Sequence, residues 1–167
     1  KKRCVKGSLF ASVVRVFSMK VHKAMNVYKG VDAFITPSEF LKKKLIENGF
    51  DENKITCIPT FTASKSEVGK PQVGTYGLYF GRVTEEKGVD TVVKAYEMMP
   101  DRYVKIMGDD TTDEAKRLKA YIKEKNMKNV EFLGFKAGEE LEEIIKGARF
   151  TLIPSIWYDN LPNTALE

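Results

Sequence analysis

Apolar residues recur at helical spacing over residues 8–28, at Phe10, Val13, Phe17, Val21, Ala24 and Tyr28. Arg15 and Lys23 fall off that face, so the segment predicts an amphipathic helix. The pattern then shortens. Residues 31–36 form an apolar run that Pro37 and Ser38 end. Ser38 can cap a helix over 39–48, which Gly49 stops. Residues 55–58 predict a second strand, closed by Pro59. Strand, helix, strand is the order of a parallel crossover unit.

Residues 62–73 are polar, carry Gly and Pro, and read as a linker or long loop. Beyond them the alternation resumes. Strands are expected at 75–80, 103–107, 129–133 and 149–153, the last looking buried, and helices at 88–99, 112–126 and 138–147. Short apolar strands alternating with amphipathic helices predict an α/β fold: a Rossmann-like parallel sheet with helices on both faces. It is preceded by a helix and a β-α-β piece. Sites in such sheets lie at the carboxyl ends of the strands.

Composition narrows the function classes. The 167 residues are 43% hydrophobic and 31% charged, a balance that builds a core. No long charge-free apolar run is present, so no transmembrane helix is expected. Lys1-Lys2-Arg3-Cys4 resembles the basic start of a signal peptide, but Arg15 and Lys20 interrupt the apolar stretch after it. With no initiator Met, and with Leu166-Glu167 ending in what reads as a helix start, a piece of a longer protein is expected. Cys4 and Cys57 have no motif spacing and read as cytosolic thiols. With His22 as the single histidine, a zinc site or a Ser-His-Asp triad is not expected. The net charge of +5 is uneven. Residues 1–61 carry 12 Lys/Arg and 5 Asp/Glu, whereas 62–167 carry 16 and 18. The basic segment lacks aromatic–basic interleaving, which argues against nucleic acid as a partner.

Two stretches carry candidate chemistry. In the run Phe80 to Gly88, Gly81 permits close backbone approach and Arg82 lies just past the strand's carboxyl end. Lys87-Gly88 opens the next helix, whose free N–H groups favour an anion. Two cations beside a helix start suit a diphosphate, although either alone is equally a solvated surface charge. The run is neither a Walker A loop nor the dinucleotide glycine fingerprint. The second stretch, 154–167, places Asp159 and Glu167 around a loop and a helix start near Pro162. Carboxylates accept hydrogen bonds from sugar hydroxyls, and helix-start N–H groups hold anions. Asp159 as a turn residue, with Trp157 and Tyr158 as packing groups, fits the pattern as well. Asp109, Asp110 and Asp113 flank an expected Thr112 cap, and no metal motif is present. The glutamates at 139, 140, 142 and 143 read as a solvated helix face.

The order Gly81-Arg82, Glu86-Lys87-Gly88, Ile106-Met107-Gly108, Val130 to Gly134, Pro154-Ser155 and Asp159-x7-Glu167 resembles the group 1 glycosyltransferases of family 4. These are retaining enzymes of the GT-B fold that use nucleotide-sugar donors. Residues 31–40 and 55–59 resemble the end of that family's N-terminal domain. The resemblance implies that 1–61 closes an acceptor-side domain and that 62–73 links it to an incomplete donor domain at 74–167. Arg82 and Lys87 match the pair that grips the donor diphosphate, beside Gly81. Glu167 matches the glutamate that holds the ribose. Asp159 stands where a glutamate near the donor sugar is usual, one methylene shorter. Asn160, Leu161, Asn163 and Thr164 match the loop whose amides approach the donor. Gly134 and Phe135 lie where the nucleobase is placed.

The implied donor is UDP- or GDP-linked, with no separate cofactor and no metal. The implied acceptor is a saccharide or a lipid-linked one, in cytoplasmic polysaccharide biosynthesis for the cell envelope. These residues alone, without the body of the acceptor domain, are expected to be inactive. The basic helix at 8–28 has two placements, on the N-terminal domain's sheet or on an anionic membrane at its inner face. Two alternatives stay open: a non-catalytic nucleotide- or phosphate-binding module, and a GT-B epimerase or phosphorylase.

Overall fold

A computed structural model describes residues 8–61, 74–160 and 162–165. The expected linker at 62–73 lies outside them, as do Cys4, Leu161 and Glu167. The chain divides between Pro59 and Thr60 into two compact units.

In the first unit, helix α1 (Leu9–Ala24) begins where the Ser8 side chain accepts from the Ala11 N–H at 3.3 Å. Helix α2 (Glu39–Glu47) uses Ser38 in the same way, at 3.2 Å from Leu41 N. Each cap satisfies one of the orphan donors of a first turn. Strands β1 (Phe34–Thr36) and β2 (Ile55–Cys57) pair in parallel, Phe34 opposite Ile55. Both are shorter than the apolar runs that encode them. Phe50 packs edge-on to Phe34, ring centroids 5.2 Å apart. Cys57 is a free thiol.

Of the two placements considered for α1, packing on a sheet is not made with this two-stranded one. The helix buries no residue, and Phe10 is 80% exposed. Two strands of three residues offer too little surface to cover a sixteen-residue helix. No helix among the described residues is long and apolar enough to cross a membrane.

The second unit carries four parallel strands: β3 (Tyr76–Phe80), β4 (Val104–Met107), β5 (Val130–Gly134) and β6 (Ala148–Thr151). Helices α3 (Val89–Glu97), α4 (Asp113–Glu124) and α5 (Gly138–Lys146) connect them. The order across the sheet is β5-β4-β3-β6. Strand alternation feeds two apolar layers. Tyr79 and Ile106 face Val89, Val93, Ala115 and Leu118 of α3 and α4. Leu78, Phe80 and Met107 face Leu141, Ile144 and Ile145 of α5 on the other side. This is the expected α/β architecture with helices on both faces.

One expectation is corrected. The run 150–153 looks buried in sequence, but β6 is an exposed strand and Phe150 is 49% exposed. Among the described strands it pairs with β3 alone, so one of its edges is uncovered.

The chain runs from β3 outward to β4 and β5, then returns to lay β6 on the far side of β3. The order therefore reverses at β3 and β6, and a crevice opens at their carboxyl ends. Gly88 closes the turn before α3 at φ +70. A Cβ there would collide with the Pro154 carbonyl oxygen in the loop after β6. Gly88→Ala combines that collision with left-handed strain, which alone costs roughly 1–2 kcal/mol. Its thermal unfolding is expected several degrees below that of the native protein.

Candidate functional site

A cavity of about 390 Å³ lies at the reversal point, at the carboxyl ends of β3 and β6. The β3 side contributes Gly81, Arg82 and Lys87, and the β6 side contributes Pro154, Ser155 and Asp159. Pro162, Asn163 and Thr164 close a third side, the last two in a short 3-10 turn (Asn163–Ala165).

The turn that carries Lys87 is held from two directions. Its own N–H donates to Thr84 O at 3.1 Å, and Ile156 N donates to Glu86 O at 3.1 Å. The second bond fastens the loop after β6 to the turn after β3. Lys87 Nζ consequently meets the Asp159 carboxylate in an ion pair. Both side chains are mostly covered, 17% and 23% exposed. The ammonium also faces the Trp157 ring, 5.6 Å from its centroid. Ser155 Oγ donates to Asp159 at 3.3 Å. The Lys87 ammonium, foremost, holds the Asp159 carboxyl below the usual carboxylate range, and Ser155 and Trp157 add to it. The Glu86 carboxyl is also lowered, chiefly by its own backbone N–H.

Arg82 is different. It is exposed, and its guanidinium makes no ion pair with any described side chain. Its backbone carbonyl accepts from the Tyr79 hydroxyl at 2.6 Å. The cavity therefore combines one cation in a close ion pair with one that has only the more distant Glu86 carboxylate to balance it. Together they suit an anion with two charged groups.

The fold thus brings together Gly81, Arg82, Lys87, Asp159, Asn163 and Thr164. It does not bring Gly134, Phe135 or Asn160 to this cavity. Gly134 and Phe135 lie at the end of β5, two strands away from β3, where Phe135 is 77% exposed. Leu161 and Glu167 lie outside the described residues. Gly88 and Val89 do not line the cavity, whereas Lys87, in the short turn Glu85–Lys87 before α3, does. Asp109 turns on Thr111, and Thr112 caps α4 by accepting from Ala115 N at 3.1 Å. No group of residues fit to hold a metal occurs among the described residues. Tyr79 carried no role in the sequence, and Ser155 entered only as part of the Pro154-Ser155 motif. A tyrosine inside an apolar strand was the available signal, since its hydroxyl must find a partner.

Among the solved structures that resemble the chain, three illustrate the likeness. One is the lipopolysaccharide outer core galactosyltransferase WaaB in its apo form, at 20% identity and TM-score 0.62, over 81% of this chain and 40% of that one. The second is HepE of Anabaena in complex with UDP and glucose, at 18% and 0.69, over 87% and 44%. The third is TarM, at 15% and 0.70, over 98% and 31%. The chain thus spans less than half the length of each, and the likeness is one of fold, that of GT-B glycosyltransferase domains. No curated protein matches the chain. The model of the family described as "Glycosyl transferases group 1" matches residues 61–167, well over half of the sequence, and the chain belongs to that family.

Proposed function

We propose that these residues form the donor side of a retaining glycosyltransferase of family 4. It transfers a sugar from a UDP- or GDP-linked donor to a saccharide or lipid-linked acceptor. The observation that carries this reading is the meeting of Arg82 and Lys87 in one cavity at the carboxyl ends of β3 and β6. The complex of HepE with UDP and glucose supports a nucleotide-sugar donor. In this reading 1–61 belongs to the acceptor-side domain, 62–73 is the linker and 74–167 belongs to the donor domain.

The chemistry rests on charge. As the bond between the anomeric carbon and the diphosphate breaks, its electron pair leaves with the diphosphate. The sugar turns cationic and the leaving group gains negative charge. The acceptor oxygen bonds to the anomeric carbon, and its proton passes to the departing phosphate oxygen, which has just gained the electron pair. Arg82 and Lys87 stabilise the departing diphosphate, an electrostatic contribution realised mainly in the transition state. Lys87 exchanges Asp159 for a donor phosphate as it does so. Asp159, released, stands near the donor sugar, and Asn163 and Thr164 approach the donor through their backbone. Gly134 and Phe135 take the nucleobase, and Glu167 the ribose. No metal enters the step.

Two measurements test the reading. In transfer assays on the intact protein, Arg82→Ala is expected to lower kcat by roughly 10²–10³, or about 3–4 kcal/mol of transition-state stabilisation. An unchanged kcat would remove Arg82 from the site. The second measurement concerns the Lys87–Asp159 pair. The folded-state pKa of Asp159 is depressed, so pairing stabilises the fold above the unfolded carboxyl's range. That stability is lost as the pH falls through the folded value. Asp159→Asn should therefore unfold a few degrees below the native protein at neutral pH. The difference should close in acid below the carboxylate range. A constant difference across that window would show that the pair contributes nothing.

A further inference from the structure

We propose that Tyr79 is a positioning residue for Arg82, its hydroxyl fixing the backbone that aims the guanidinium into the cavity. The inference rests on the reading of Arg82 as a diphosphate ligand. It begins with the strand's alternation. Tyr79 points into the layer formed with Val83, Val89 and Val93, and is 3% exposed. An apolar layer has no need of a hydroxyl, and one left unpaired there is costly. Phenylalanine would fill the same space. The hydroxyl instead donates to the Arg82 carbonyl at 2.6 Å.

Around it, three successive residues are fixed through their backbones. Gly81 N donates to Met107 O at 3.0 Å. The chain then turns over the tyrosine's own ring, so that a Cβ on Gly81 would lie 3.4 Å from its hydroxyl oxygen. Arg82 O takes the Tyr79 bond, and Val83 O accepts from Thr112 Oγ1 at 2.7 Å. The Arg82 side chain has no ion-pair partner of its own among the described residues. The origin of that side chain is set by the backbone beneath it, where the Tyr79 hydroxyl bonds to the Arg82 carbonyl. A fixed origin reduces what a long side chain must lose on engaging its ligand. Burial, ahead of the charges nearby, pushes the Tyr79 pKa up to about 12. The hydroxyl is thus a permanent donor at working pH.

The test is a cycle of four proteins: native, Tyr79→Phe, Arg82→Ala and the double variant. Binding of UDP and of GDP to the intact protein is measured by calorimetry, with unliganded thermal unfolding alongside. Tyr79→Phe keeps the ring in its layer. It should weaken binding of the preferred diphosphate about three- to tenfold, the scale of one net hydrogen bond. In the Arg82→Ala background the same change should do nothing further. Unchanged binding by Tyr79→Phe, beside weakened binding by Arg82→Ala, overturns the role of Tyr79 alone. Equal losses in both backgrounds assign the hydroxyl to general folding and also overturn it. Native binding by Arg82→Ala removes the functional reading of Arg82 and, with it, this inference. If Tyr79→Phe unfolds without ligand, Thr112→Ser and Thr112→Val repeat the cycle at the neighbouring anchor. Loss of binding by the valine variant at unliganded stability equal to that of the serine variant supports the backbone clamp; equal binding by the two, or a loss that tracks the unfolding caused by the missing α4 cap, overturns it.

Discussion

The loop after β6 can land on the turn before α3 because residue 88 has no side chain. Gly88 lies against the Pro154 carbonyl in a left-handed conformation. With that approach allowed, Ile156 N reaches Glu86 O, and the two segments are fastened backbone to backbone. The Lys87–Asp159 ion pair depends on this seam. Lys87 belongs to one segment and Asp159 to the other, and neither would meet its partner if a methyl group held them apart. The reversal of strand order brings β3 and β6 side by side, but the seam sets the distances within the crevice.

The two cations then differ in a way that matters for the proposed chemistry. Lys87 is mostly covered, and its charge is already balanced by Asp159. A donor phosphate arriving there replaces one anion by another, so the net gain is a difference between two charge-assisted contacts. Arg82 makes no close ion pair that a donor must break, with Glu86 acting on it only at longer range. Its gain is limited by the ordering of a long side chain, which is where a rigid backbone counts. The site thus obtains one contact by exchange and the other by holding an unpaired group in place.

Much of the fold was legible because local chemistry and global topology agree. Ser38 and Thr112 cap the helices their positions predict, since a hydroxyl before an amphipathic run satisfies first-turn N–H groups. The strands of the second unit fall within a residue or two of the apolar runs that encode them. That Gly81, Arg82 and Lys87 would gather at one place was legible from their position after a strand, and the fold brings them into one cavity. Burial was less legible. An apolar run such as 150–153 states a preference for cover, whereas exposure depends on which neighbours exist. The amphipathic face of α1 fails in the same way. The role of Tyr79 was hidden for another reason. Its partner is a backbone carbonyl, and a carbonyl leaves no mark in sequence.

Asp159 shows how the two levels combine. By pattern it is a shortened carboxylate, about 1.5 Å less reach than a glutamate for one missing methylene. In the fold that short side chain is tied to Lys87 and Ser155, so the loop 155–159 is braced by the same charge that the proposed donor must engage. A contact made at Lys87 is therefore also felt by the loop. The brace and the grip share one ammonium, and the loop's conformation and the donor's phosphate become alternatives in a single electrostatic exchange.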